Sequence, residues 1–222
     1  MKTLFTSVQY LARQCIAIRG HTLDSGNLHQ LLLTRCRDSP SLMVWFNKKQ
    51  NWNSPVHQNE ILNMFSHSIV RQLVSEINKA SVFSVIMDGT QDISGDEQES
   101  VCIRYVDENF VSHEVFVGFY KADGTTGLAL SNILKDIFLR LGLPIKNLRF
   151  QTYDGAGNMT GKDNGCQAII KQSQPLALYV HCGPHVTNLV AKYICNEIKE
   201  IRNALKHIQD LGKINMYYTH LI

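Results

Sequence analysis

The 222-residue sequence contains no CxxC pair, no GxxxxGKS/T string and no GxSxG elbow. The first absence leaves its six cysteines widely spread, as in a reducing compartment where a free thiol packs like a small hydrophobe. The second disfavours an ATP-binding loop, and DGAGNMTG lacks the spacing of a dinucleotide fingerprint. The third leaves a serine hydrolase poorly supported. No apolar run approaches the 18 residues a membrane-spanning helix needs, so no membrane partner is expected. The opening residues do not read as a signal peptide, because Gln9, Arg13 and Gln14 interrupt them. Charge of one sign is also scarce: 22 basic and 19 acidic side chains leave a net charge of +3, which neither demands nor excludes nucleic acid.

What is present is enough apolar material, 44% of residues, for a core. Residues 1–80 read as a helical N-terminal region. Leu4, Val8, Leu11, Ala12 and Cys15 recur at helical spacing, residues 28–36 suit a second helix, and Asp38, Ser39 and Pro40 signal a turn. Ser54 and Pro55 open a third helix, with Leu62, Phe65, Ile69, Leu73 and Ile77 on one face.

After Ala80 the period changes. Strands are expected over residues 82–87, 101–106 and 114–120, a helix over 130–141, a strand over 148–153, a helix over 165–172, a strand over 176–180 and a helix over 185–207. This order fits an α/β ribonuclease H-like mixed sheet, in which three antiparallel strands are extended by parallel ones through helical crossovers.

Asp88 and Asp154 are the sharpest chemical pair, each placed at a strand end in the settings MDGT and YDGAGNM. Carboxylates on neighbouring strand ends can share Mg²⁺ or Mn²⁺, which prefer hard oxygen ligands. The alternative is two loop aspartates bonding backbone beside glycine. Thr90, Asp92, Asp96, Glu97 and Glu99 make the following segment acidic; it reads as a solvated loop, with Asp92 the best extra ligand. His181, Cys182 and His185 form HCGPH and supply part of a zinc set, to be completed by Cys166 or Cys195, or else pack at a strand end. Trp45 and Trp52 flank Lys48 and Lys49 and could stack on bases, although a core Trp45 with solvated lysines is the plainer reading.

The strings IAIRGH, GNLHQLL, SPVHQNEIL, FSVIMDGTQDISGDEQESVCIRYVD, GFYKADGTTGLAL, YDGAGNMTGKDNGCQAIIK and YVHCGPHVTNL, in that order, resemble the conserved block of hAT-type transposase-derived proteins of the DUF4371 group. The resemblance runs from residue 11 to about 195. It implies an incomplete ribonuclease H-like core over residues 81–184 and the start of a helical insertion over 185–222. It also implies that Asp88 and Asp154 match the first two catalytic acids, and Cys182 and His185 the CxxH pair. The third acid, a glutamate beyond the insertion, has no counterpart at Glu197 or Glu200. Gly89 stands where the family usually has an acid, and Pro184 where it usually has alanine.

The resulting expectation is a catalytically incomplete remnant of a DNA-cleaving and joining domain, with Mg or Mn as the only implied cofactor. DNA is expected to bind weakly if at all, and protein partners are the alternative. A nuclease completed by Asp92 is a third reading. The resemblance implies an intracellular, nuclear protein.

Overall fold

The computed structural model describes the chain except residues 23, 49–51, 93 and 220–222, and only the backbone at 209 and 211–219. Two compact units, Met1–Leu73 and Val74–Ile222, divide it.

The first unit is helical. Helix α1 (Lys2–Arg13), α2 (Asn27–Cys36), α3 (Pro40–Phe46) and the first part of α4 (Pro55–Lys79) surround one core. Leu4, Val8, Leu11, Leu28, Leu32, Phe46 and Ile61 fill it. Arg35 ties α2 to α1 by donating from Nη1 to the Thr6 and Ser7 hydroxyls, at 2.9 and 2.8 Å. The Asp38–Ser39–Pro40 turn closes α2 as expected, and Pro40 then opens a further helix, α3, that the spacing does not predict, its missing N–H costing nothing in a first turn. Ile69 belongs to the expected apolar face of α4 yet is 58% exposed.

The second unit is built on a five-stranded sheet in the order β3-β2-β1-β4-β5. Strands β1 (Phe83–Gln91), β2 (Glu97–Val106) and β3 (Ser112–Lys121) form the antiparallel part. β4 (Leu148–Tyr153) joins β1, and β5 (Leu178–His181) joins β4, both in parallel. Asp107 holds the β2–β3 turn by accepting the Asn109 and Val111 amides, each at 2.9 Å.

Helix α5 (Gly127–Leu141) and α7 (Cys166–Ser173) make the crossovers. Thr126 caps α5 through its side chain, and Gly142 ends it in the left-handed conformation. Together α5 and α7 lie over one face of the sheet, and Val85, Met87, Ile103, Leu134, Ile137 and Ile170 are closed off there from water. The short α6 (Gly157–Thr160) precedes α7. This arrangement is the expected N-terminal helical region followed by an incomplete ribonuclease H-like mixed sheet.

The other face differs. Phe116, Phe150 and Val180 remain 44–49% exposed on it. The helix expected over residues 185–207 is in fact two, α8 (Gly183–Glu197) and α9 (Lys199–Thr219), separated at Ile198, whose extended backbone cannot carry a helical turn. No residue of α8 is buried. No described helix is long and apolar enough to cross a membrane.

A candidate carboxylate site at the strand ends

The register of β1 and β4 places the two aspartates. Ile86 lies opposite Thr152, so Asp88 and Asp154, each two residues further on, come level on the same side of the sheet. Asp154 Oδ1 accepts the Ala156 amide at 3.1 Å, and its carbonyl accepts the Tyr179 hydroxyl at 3.2 Å. The Asp88 carbonyl accepts the Ser100 hydroxyl at 3.0 Å. These bonds are the loop role the sequence allowed, but both residues also line one open cavity of about 870 Å³.

The HCGPH segment faces the same space. Cys182 and His185 line the cavity with Asp88 and Asp154, joined by Thr187 and Asn188 of α8. The Cys182 amide donates to the Tyr153 carbonyl at 2.9 Å, which sets the start of α8 beside the end of β4. His181 stacks between Tyr179 and His185, with ring centres 6.5 and 5.6 Å away. A side chain at Gly155 would meet the His181 ring at 2.9 Å, so this glycine serves a close approach. Cys166 is buried at the start of α7 with its thiol pushed up to about 12, burial being the main cause, which suits packing.

The acidic segment is not the expected loop. β1 continues to Gln91 and β2 begins at Glu97, so only residues 92–96 connect them. Asp92 is engaged within that turn: it accepts the Ser94 and Asp96 amides at 2.8 and 3.0 Å and the Gln98 side-chain amide at 2.9 Å. Glu99, by contrast, is only 3% exposed, and its Oε2 has no hydrogen-bond partner. Burial first, then the charges of Asp88, Glu97 and Asp154, raises its carboxyl to about 7. Sequence reading missed this residue because it treated the segment as solvated. The alternation of polar and apolar residues from Glu97 into Val101 and Ile103 was the available signal.

Trp45 is half-buried against the core of the first unit, whereas Trp52 and Lys48 are exposed. Lys49 lies outside the described residues.

Two carboxylates fit Mg²⁺ or Mn²⁺ in kind, since both ions take hard oxygen donors. They fall short in number: among the described residues, no three His, Cys, Asp or Glu side chains form a group able to hold a metal ion as they stand. Cys182 and His185 are likewise two ligands against the four of a structural zinc site.

A family model described as DUF4371, the ZMYM1/FAM200 RNase-like domain, matches residues 1–165. The chain belongs to this family. DUF4371 membership thus covers the helical unit, β1 to β4, Asp88 and Asp154, while Cys182 and His185 lie beyond the matched residues. Similarity continues further in longer proteins. The human "52 kDa repressor of the inhibitor of the protein kinase" is 23% identical over 201 residues, covering 85% of this chain and 26% of that protein. The mouse protein of the same name is 24% identical over 200 residues, with the same shares covered. The DUF4371 chain therefore spans about a quarter of the length of the curated relatives it matches.

Proposed function

We propose that this DUF4371 chain is a hAT-type, transposase-derived ribonuclease H-like scaffold that does not by itself cleave or join DNA. The observation that carries this reading is the cavity at the strand ends, which gathers Asp88 and Asp154 as its only acidic lining among the described residues. Paired aspartates on adjacent parallel strands suit the first half of a phosphoryl-transfer site. Two-ion transfer needs further ligands to hold an ion at the leaving oxygen as well as one at the attacking oxygen. Without them the developing charge is poorly neutralised.

Incubation of the purified chain with Mg²⁺ or Mn²⁺ and labelled duplex DNA tests this, alongside Asp88→Ala and Asp154→Ala. No cleavage above buffer is expected. Cleavage by the native chain that both substitutions abolish would sink the reading.

A second reading is a non-enzymatic interaction module. The open face of the sheet and the exposed apolar side chains of α8, among them Leu189, Val190 and Tyr193, favour it. The relatives named as repressors support it too. DNA is the weaker partner candidate, because the net charge is only +3. Filter binding over a salt series is expected to show no sub-micromolar affinity at physiological salt. Nuclear residence is part of the transposase-derived reading and is checked by imaging the tagged chain.

A further inference from the structure

We propose that two copies of this chain pair through Phe110, each copy seating that side chain in the apolar cavity on the open sheet face of the other. The turn between β2 and β3 is the first observation. Phe110 is 91% exposed, more than any other large apolar side chain among the described residues. Its φ of +61° lies in the left-handed region, where a bulky side chain is strained and glycine is favoured. The conformation is nevertheless held firmly. The Phe110 amide donates to the Asp107 carbonyl and the Asp107 amide to the Val111 carbonyl, both at 3.0 Å. The Asp107 carboxylate accepts the Asn109 and Val111 amides and is paired with His113 at 2.8 Å. The turn thus holds an aromatic ring in water on a rigid support, with a backbone strain that burial within the chain does not offset. A ring fixed in this way loses little freedom on binding, which is what makes an aromatic anchor effective.

The seat is a separate feature of the same unit. The cavity of about 790 Å³ on the open face is lined by apolar side chains that include Ile86, Phe150 and Val180, with Arg104 and Arg149 among them. Its size is that of sites that enclose a small ligand. Glu114 is the only acid among the described lining residues, and among the described residues neither arginine forms an ion pair. The turn carries the opposite sign, since Asp107 and the exposed Glu108 precede Phe110. Val106 lines the cavity and stands directly before the turn, so apolar surface runs from one feature to the other. A ring and a seat on one surface, opposite in shape and in charge, meet the requirement of a twofold interface: each copy gives its ring and receives its partner's. That self-complementarity singles out a second copy as the occupant. The inference rests on the interaction-module reading of the open face and uses neither Asp88 nor Asp154.

Sedimentation velocity of the full chain from about 1 to about 200 µM is the experiment. A monomer–dimer equilibrium is expected, with a dissociation constant on the order of 10 µM, as for a small and transient interface. Phe110→Gly should weaken the dimer at least about tenfold, while its monomer in dilute solution melts about 2 °C higher than the native one because the strain is gone. That rise separates a lost anchor from a damaged fold. Glu108→Arg and Arg149→Glu should each weaken the dimer about fivefold or more. An equimolar mixture of the two should associate at least as tightly as the native chain, since both contacts then join opposite charges. A native chain that stays monomeric at about 200 µM, an F110G dimer within about twofold of native, or a charge-reversed mixture no tighter than its components overturns the proposal. None of these results bears on the scaffold reading, which falls to DNA cleavage that Asp88→Ala and Asp154→Ala abolish.

Discussion

The two faces of the five-stranded sheet are made by the same strands, yet they live in different solvents. On one, Val85, Ile103, Leu134 and Ile137 are closed off from water. On the other, a cavity of about 790 Å³ is lined by exposed strand residues such as Phe150 and Val180. Apolar content does not separate them, since both faces carry it. The difference is the presence of α5 and α7 over one face. Stability therefore belongs to the covered face, and the open face is available for recognition.

Substitutions on the two faces should separate most clearly in equilibrium unfolding. Leu134→Ala is expected to cost about 3 kcal/mol, because it leaves a cavity in a fully closed layer. Phe150→Ala, on a side chain already 44% exposed, is expected to cost no more than about 1 kcal/mol. Equal losses from urea denaturation would erase the distinction between the faces.

Glu99 sharpens the comparison, being a carboxylate on the covered face. Its carboxyl is raised from the ordinary value of 4.5 to about 7, so the folded state holds a proton that the unfolded chain releases. Stability should accordingly fall as pH rises from about 4.5 to 7. In chelator at pH 8, Glu99→Gln is expected to be about 2 kcal/mol more stable than the native chain, a figure reduced for partial solvent screening. The advantage should vanish near pH 4. A constant difference across that range would show that the charge on Glu99 is not the cause.

A smaller effect tests how α5 is held over the sheet. Thr126→Ala removes the hydroxyl that accepts the Ala129 amide at 3.2 Å and should cost about 1 kcal/mol in the same measurement. The smallest concerns the exposed β2–β3 turn. His113 above all, with the Val111 and Asn109 amides, holds the Asp107 carboxyl below its usual range. The stabilisation is present at neutral pH and fades as pH falls through the lowered folded-state value. Asp107→Asn should lower the melting temperature slightly at pH 7 and less at pH 4.

Much of the sheet could be read from residue patterns, for reasons visible in particular elements. The apolar run into Met87 and the short connection at Asp107 to Asn109 point to adjacent antiparallel strands, and Gly142 marks the end of α5. The misreadings share a cause: local signals with two uses. Pro40 both breaks and begins helices, and a charged stretch such as residues 96–99 can be a turn or the start of a strand. The aspartates were accessible because each follows a strand. Glu99 was not, because its burial depends on Gly89 across the ladder, which leaves room for the carboxylate. Gly89 was singled out only as a departure from the family pattern.

β5 is four residues long and forms the rim of the sheet. Tyr179 on that rim donates its hydroxyl to the Asp154 carbonyl, and the Cys182 amide just after it donates to the Tyr153 carbonyl. The backbone at Asp154 is therefore tied to the shortest strand of the described sheet, so whatever frays β5 frees the aspartate as well, and faster hydrogen exchange at the Cys182 amide would report it.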